Sequence, residues 1–317
     1  MGCNALLFEG GAVRGLTVAE ATAYRGDGFL WLHFDTLEEA DLAALKAQGI
    51  PDIAVNALVA TETRPRCDRM DGGALLNMRG LAEIEIDDSD RLVSIRMWVQ
   101  QGKVNSVSRR PLAATRIVRD RMEAGEITDP GDLVAAYARA ISKQLDPEVA
   151  QLGDELDDCE TDLEPRRVYK LRTAIAGIRS EAIAYRRFVA PDRDALETLS
   201  QMDFAWLAEE DRLHIREAAD RFARMTEELE AIRERAALLH EQLTDLRGEL
   251  MEQRALLLSI VALIFLPLTF ITGLLGMNVR GIPYADDPWA FWGVVGFCFV
   301  IGVAVSAYFA GKHWLRR

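Results

Sequence analysis

Two stretches near the C-terminal end decide what this chain can fold into. Residues 255 to 279, ALLLSIVALIFLPLTFITGLLGMNV, are 25 positions without a charged side chain, and residues 288 to 311, PWAFWGVVGFCFVIGVAVSAYFAG, are 24 more. About 20 apolar residues cross the hydrocarbon layer as a helix. A soluble core of this size needs no pair of uncharged runs that long, so both are predicted to span a membrane. Lys312, Arg316 and Arg317 directly follow the second run, and basic residues beside a span stay in the cytoplasm. An even number of spans returns the large N-terminal part to that side. The segment between the runs, GMNVRGIPYADDP (276 to 288), is then a short outer loop. Trp289, Trp292, Tyr308 and Trp314 lie near span ends, where aromatic anchors sit.

The pattern upstream of the first span is regular. Phe222, Met225, Leu229, Ile232, Ala236, Leu239, Leu243, Leu246 and Leu250 follow at alternating steps of three and four, and Leu257 and Ile260 resume the series. Such a heptad seam predicts one helix from about Glu209 to Leu275, with Gly248 as a weak point. A second seam, Val168, Leu171, Ile175, Ile178, Ala182, Tyr185 and Val189, ends at Pro191. The two helices are expected to pack antiparallel through a polar connection over 191 to 208.

The first 125 residues read differently. FLWLHF (29 to 34) and LVSIRMWVQ (92 to 100) run or alternate as strands do, and Gln101 and Gly102 turn the second into KVNSVSR as a hairpin. Helical patterns at 37 to 48, 113 to 124 and 131 to 163 alternate with them, and EGGAVRG (9 to 15) is a strand connection. A small domain of mixed strands and helices is predicted.

Charge and motifs narrow the function. Of 50 acidic and 37 basic residues, 48 and 33 fall in the first 254 positions, a net of −15 there. Such a surface repels phosphate backbones, which argues against nucleic acid and for cations as guests. Cys3, Cys67, Cys159 and Cys298 have no C-x-x-C spacing, so neither a disulfide framework nor a closed zinc site is expected. The first residues, MGCNALLFEGG, lack the features of a signal peptide, and Leu6 stands where a myristoylation motif needs Ser or Thr. No phosphate-binding loop, nucleophile elbow, H-E-x-x-H or dinucleotide fingerprint occurs, so no catalytic residue is assigned and no cofactor is expected. His33, His214, His240 and His313 are too scattered to suggest a metal site, and metal ligands stay unassigned. DELDDCETDLE (154 to 164) packs seven carboxylates ahead of a helix bearing Arg166, Arg167, Lys170, Arg172, Arg179, Arg186 and Arg187. This reads as surface pairing between an acidic and a basic face, each pair worth under about 1 kcal/mol; the alternative is cation attraction toward a conduit.

The loop can now be read physically. Two spans from one chain cannot enclose a water-filled path, so transport requires an oligomer in which one span per subunit lines the axis. At the outer end, Gly276 is expected to stop the helix with positive φ, and Asn278 offers an amide oxygen and backbone carbonyls. Repeated around an axis, neutral oxygens suit the water shell of a strongly hydrated divalent cation. The hydroxyls of that span are Ser259, Thr269 and Thr272; the rest is apolar, and an apolar constriction gates by dewetting.

FLPLTFITGLLGMN (265 to 278) followed by IPY (282 to 284) resembles the signature of the CorA metal-ion transporter family, in which a Gly-Met-Asn motif ends the first of two C-terminal spans. TRPRC (63 to 67), YRRFVAP (185 to 191) and the form of the loop look like its zinc-transporter branch, the ZntB proteins. The resemblance covers essentially the whole chain.

It implies a funnel-shaped homopentamer with an α+β cytoplasmic domain, a long helical stalk and two C-terminal transmembrane helices. The parts fall at 1–125 (α/β domain), 126–208 (helices on the stalk), 209–254 (stalk), 255–278 (pore-lining span), 279–288 (outer loop), 289–311 (second span) and 312–317 (tail). The entrance motif falls on Gly276, Met277 and Asn278. Pore-facing positions fall on Ala255, Leu258, Ala262, Leu266, Thr269 and Gly273, whereas the apolar seam through Leu257, Ile260 and Ile264 lies about 100° round the helix. Arg280 departs from the zinc branch, and Tyr284 stands where magnesium-type members carry a glutamate. The implied cargo is zinc, with magnesium, cobalt, nickel or cadmium as alternatives; the implied site is the inner membrane, multi-pass, with both termini cytoplasmic. Proton coupling, which the resemblance allows, finds no intramembrane carboxylate or histidine to carry it. A rival reading is a membrane-anchored sensor or scaffold whose spans only tether the first domain.

Overall fold

A computed structural model describes residues 3–35, 39–61, 63–70, 72–84, 91–163, 167–277, 282 and 286–314. The chain divides into two compact units, residues 1–163 with 169–240, and residues 164–168 with 241–317.

In the first unit, strands β1 (Cys3–Glu9), β2 (Ala12–Leu16), β3 (Phe29–Phe34), β4 (Arg66–Met70), β5 (Gly73–Leu81), β6 (Leu92–Gln100) and β7 (Lys103–Ser108) form one sheet ordered β2-β1-β3-β7-β6-β5-β4. β3 and β7 are parallel, and every other neighbouring pair is antiparallel. The pairs β1/β2, β4/β5 and β6/β7 are each joined across two residues. Gly10 and Gly11 both adopt positive φ, at 62° and 79°, as a two-residue turn matched to strand twist demands. Glycine therefore fits where a side chain would strain.

Helices cover both faces. α1 (Val18–Ala23), α2 (Glu39–Ala47) and α3 (Asp52–Val59) lay Ala21, Leu45, Val55 and Leu58 on Leu7, Leu30, Leu32 and Phe34. On the other face, α4 (Ala113–Glu123) and α5 (Pro130–Thr161) pack against β5, and Tyr137 meets Trp31 edge to face at 6.0 Å. This explains why all six residues of β3 are buried. A central strand covered on both sides reads as a continuous apolar run. His33, within that run, is fully buried and satisfied by the Ser106 hydroxyl at 2.8 Å and the Asp35 carboxylate at 2.9 Å, the ordinary fate of a core histidine.

α6 (Val168–Gln201) and α7 (Glu209–Leu275) carry the two seams. Leu171, Ile175, Ile178, Ala182, Tyr185 and Val189 are buried on α6, as are Phe222 through Leu243 of the α7 series. Arg186 pairs with Glu230 at 2.5 Å, and Arg212 donates to the Ser200 carbonyl at 3.0 Å. The partners run in opposite order, so α6 and α7 are antiparallel. The expected end of α6 at Pro191 is wrong. The helix continues ten residues further because Ala195, Leu196 and Leu199 extend the buried stripe; Leu196 and Leu199 are both 0 % exposed, and that burial outweighs one lost backbone bond. The connection shrinks to residues 202–208. Part of the carboxylate run of α5 pairs with α7. Asp157 and Glu160 bind Arg235 of α7 at 2.5 and 2.6 Å, while Glu164 and Arg166 lie outside the described residues.

Phe222 is the largest side chain of the α7 seam and is fully buried. Phe222→Ala is expected to cost about 3–5 kcal/mol, read as a lowered midpoint in denaturant or thermal unfolding of the purified protein. A change under about 1 kcal/mol would mean the seam is not the core it resembles.

Candidate functional site

The second unit holds the end of α7 and α8 (Ala290–Trp314). Both helices are long and apolar enough to cross a membrane, and none of the residues in the most apolar stretch of either is buried within the chain. A soluble core helix would be covered. Here only lipid or further protein can cover them.

The polar groups of the α7 span turn inward on their own helix. Ser259 donates to the Ala255 carbonyl at 2.9 Å, Thr269 to Phe265 at 2.7 Å, and Thr272 to Leu268 at 2.9 Å. Each hydroxyl hydrogen is satisfied without a partner helix, and each oxygen keeps a lone pair for a neighbour or water. Pro267 sits inside α7 and gives no N–H to the Leu263 carbonyl. Its signal in the sequence is a proline twelve positions into an uncharged run.

The six expected pore positions share one side. At about 100° per residue, Ala255, Leu258, Ala262, Leu266, Thr269 and Gly273 fall within an arc of roughly 80°, and all six are exposed. Ile260, Ile264, Leu268 and Ile271 are half-buried. Ile264 and Leu268 share a groove with Val295, Cys298 and Gly302 of α8, and Ile271 shares another with Gly293 and Val294. These two sides are centred roughly 160° apart. The extended seam thus turns toward α8 at Ile264, whereas Leu257 stays 63 % exposed.

At the end of α7, Gly276 donates to the Thr272 carbonyl at 2.9 Å, prolonging the helical bonding. Its φ is not positive, contrary to expectation. Glycine is required for another reason: a Cβ there would stand 2.9 Å from the Thr272 carbonyl oxygen, closer than carbon and oxygen tolerate. Met277 follows, 46 % exposed. Asn278, Arg280 and Tyr284 lie outside the described residues, as do Arg316 and Arg317. Across the loop, Asp287 accepts the Trp289 backbone N–H at 3.0 Å. One of the loop's two aspartates therefore caps the start of α8.

In the first unit, Asp129, Asp132 and Asp211 bring one carboxylate oxygen each within 4.8 Å of one another, the group of metal-ligating type among the described residues. Each is already engaged with backbone. Asp129 accepts from the Asp132 N–H, Asp132 from the Thr128 N–H, and Asp211 from the Ala208 N–H. They read as helix caps. Gly131 makes room for Asp211, whose Oδ2 lies where a Cβ on residue 131 would have to be. Burial, then the charge of Asp129, push the Asp211 carboxyl up to about 6. The folded state holds this proton to higher pH than the unfolded chain, so its contribution is lost as pH rises from about 4 to 6. Asp211→Asn is expected to raise stability by about 2 kcal/mol at pH 7.5 and by almost nothing at pH 4. Unfolding midpoints at the two pH values check this; an equal gain at both would contradict it.

The family model for CorA-like Mg2+ transporter protein matches residues 26–316. The zinc transport protein ZntB of Pectobacterium carotovorum is 32% identical over 289 residues, covering 90% of this chain and 86% of that protein. The divalent cation transporter CmaX of Pseudomonas aeruginosa is 33% identical over 294 residues, covering 90% and 87%. The structure of the CorA magnesium transporter from Methanocaldococcus jannaschii superposes with a TM-score of 0.81 at 17% identity, covering 98% of each chain; at that identity the likeness is one of fold.

Proposed function

This chain belongs to the CorA-like Mg2+ transporter family, whose members are divalent cation transporters and not enzymes, and on that premise we propose that it is a homopentameric zinc importer of the inner membrane. The observation that carries the reading is that α7 turns Ile264, Leu268 and Ile271 toward α8 and leaves the rest of its span bare, with Ala255, Leu258, Ala262, Leu266, Thr269 and Gly273 on the side opposite α8. A bare side of that kind suits the axis of a ring, where copies of the same helix face one another. Gly276, Met277 and Asn278 then stand at the outer mouth, with both termini in the cytoplasm.

Residues can be given roles. Hydrated ions meet the asparagine amides first, because neutral oxygens bind the water shell without stripping it. Below the mouth, Thr269 offers a hydroxyl oxygen whose hydrogen is already bonded to Phe265. Leu266, Ala262 and Leu258 follow as an apolar constriction that conducts when wetted and seals when dry. Zinc is favoured by the ZntB relative at 32% identity. Magnesium is the second reading, favoured by the description of the matching family model. Zinc uptake into proteoliposomes, with magnesium, cobalt, nickel and cadmium as competitors, decides between them. Protein-dependent zinc flux that a tenfold excess of magnesium leaves intact supports zinc. Flux of magnesium without zinc assigns the second reading, and absence of any ion flux favours a tethered scaffold.

A further inference from the structure

The two motifs that mark the zinc-transporter branch, TRPRC and YRRFVAP, lie 120 residues apart in sequence and have no part in a pore. In the first unit they meet. Thr63 and Arg64, from the segment between α3 and β4, share a cavity of about 450 Å³ with Arg187 and Phe188 of α6. Arg79 of β5 and Ser94 of β6 complete it, with Thr61 at the edge. We propose that this cavity binds a small molecule carrying two or more phosphoryl groups.

The lining supplies donors and positive charge. Phe188 is buried and forms a fixed platform, with the Arg79 guanidinium 3.9 Å above its ring centre and that of Arg187 at 5.5 Å. Arg64 and Arg187 are exposed, so their forks can reach a ligand at the opening. Beneath the cavity, Arg96 is 2 % exposed and donates to the Thr63 hydroxyl oxygen at 3.2 Å and the Leu58 carbonyl at 3.1 Å. Because Thr63 Oγ1 accepts from Arg96, its own hydrogen points elsewhere and is available to a ligand. Burial, and then the nearby charges of Arg109 and Arg79, lower the Arg96 pKa to about 10. It stays charged at neutral pH, with the guanidiniums of Arg109 and Arg79 close enough to be felt.

Glu62, between the lining Thr61 and Thr63, lies outside the described residues. No carboxylate lines the cavity among the described residues. Asp192, behind Arg79, is fully buried and already accepts the Arg79 backbone N–H at 3.1 and 3.3 Å, and burial pushes its carboxyl well above the usual range. The chain's net charge of −13 does not overrule this arrangement, since exposed charges beyond a Debye length of about 8 Å are largely screened at physiological salt.

Guanidinium forks and hydroxyls are donors, so the fitting ligand is an acceptor, and planar forks match phosphate oxygens two at a time. The volume falls in the range of about 300–1,000 Å³ typical of small-molecule sites. A single orthophosphate would leave much of it to water and would not span the guanidiniums. The shared chemistry is a chain of phosphoryl groups, from inorganic polyphosphate or from a nucleotide.

Isothermal titration of the full-length protein in detergent, in metal-free buffer at fixed ionic strength, tests the assignment with inorganic pyrophosphate as probe. Saturable binding at one site per chain is expected, weakened about tenfold or more in the Arg64→Gln/Arg187→Gln variant and partly restored by lysines at the same positions. Both side chains are exposed, so the variants should keep the parent's unfolding midpoint. Adenosine triphosphate binding more tightly than pyrophosphate assigns a nucleotide; equal binding assigns inorganic polyphosphate. No pyrophosphate or nucleotide binding, binding unchanged in the double glutamine variant, or citrate binding as tightly as pyrophosphate overturns the proposal. The readout needs no ion flux, so it stands or falls separately from the transport reading.

Discussion

Asn278→Ala is expected to reduce zinc uptake into proteoliposomes by about 100-fold or more while leaving the assembly intact. The size follows from symmetry. A hydrogen bond to the ion's water shell contributes about 0.5–1.5 kcal/mol, and in a homopentamer one substitution removes five amides at once. Even with strong non-additivity, several kcal/mol are lost at the entrance, and each 1.4 kcal/mol is tenfold. Asn278→Gln keeps the amide on a longer stem and should recover part of the flux. Uptake unchanged in the alanine variant, with the protein eluting at its normal size, would remove the asparagine from the ion path.

A second large effect concerns the bare side of α7. Ala262→Phe is expected to cut flux at least tenfold, because five rings would crowd one level of the axis and the apolar constriction would neither widen nor wet. The matching control is Val300→Phe. Val300 is on α8 and 63 % exposed, and a phenyl group there meets lipid, so flux should stay within about twofold, as for surface substitutions generally. Equal loss in both variants would mean bulk anywhere in the spans is harmful and would say nothing for a pore. Block by Val300→Phe alone would put α8 on the axis.

Much of the fold was legible because its signals are local. An alternating or continuous apolar run marks β3 and β6, and Gln101 with Gly102 marks the hairpin into β7. The heptad steps carried α7 from Glu209 to Leu275 across Gly248, since an isolated glycine costs only about 1 kcal/mol against seven buried seam residues. What escaped depended on distant partners. β4 and β5 are recognisable as strands only once β6 stands beside them, and RCDRM carries no periodicity of its own. Pro191 misled for the opposite reason. A proline is a local stop signal, but Leu196 and Leu199 bury themselves beyond it, and tertiary burial prevailed over a single missing N–H. Gly276 shows the same limit at the site. The residue type was informative and the conformation was not, because what demands glycine is the Thr272 carbonyl one turn back. The meeting of Arg64 with Arg187 could not be read from either motif alone.

The pore face came from resemblance, since composition distinguishes Ala262 from Val261 no better than chance. Geometry adds that α8 takes the opposite side, through Ile264, Leu268 and Ile271. A helix with one side spoken for has one side left to offer to copies of itself.

The most direct test is an electron cryomicroscopy structure of the protein in lipid nanodiscs. The account predicts five chains around one axis, with Ala255, Leu258, Ala262, Leu266, Thr269 and Gly273 turned toward it, Asn278 at its outer mouth and α8 outside. A monomer or dimer, or an assembly with Ala262 against lipid and α8 on the axis, would contradict it.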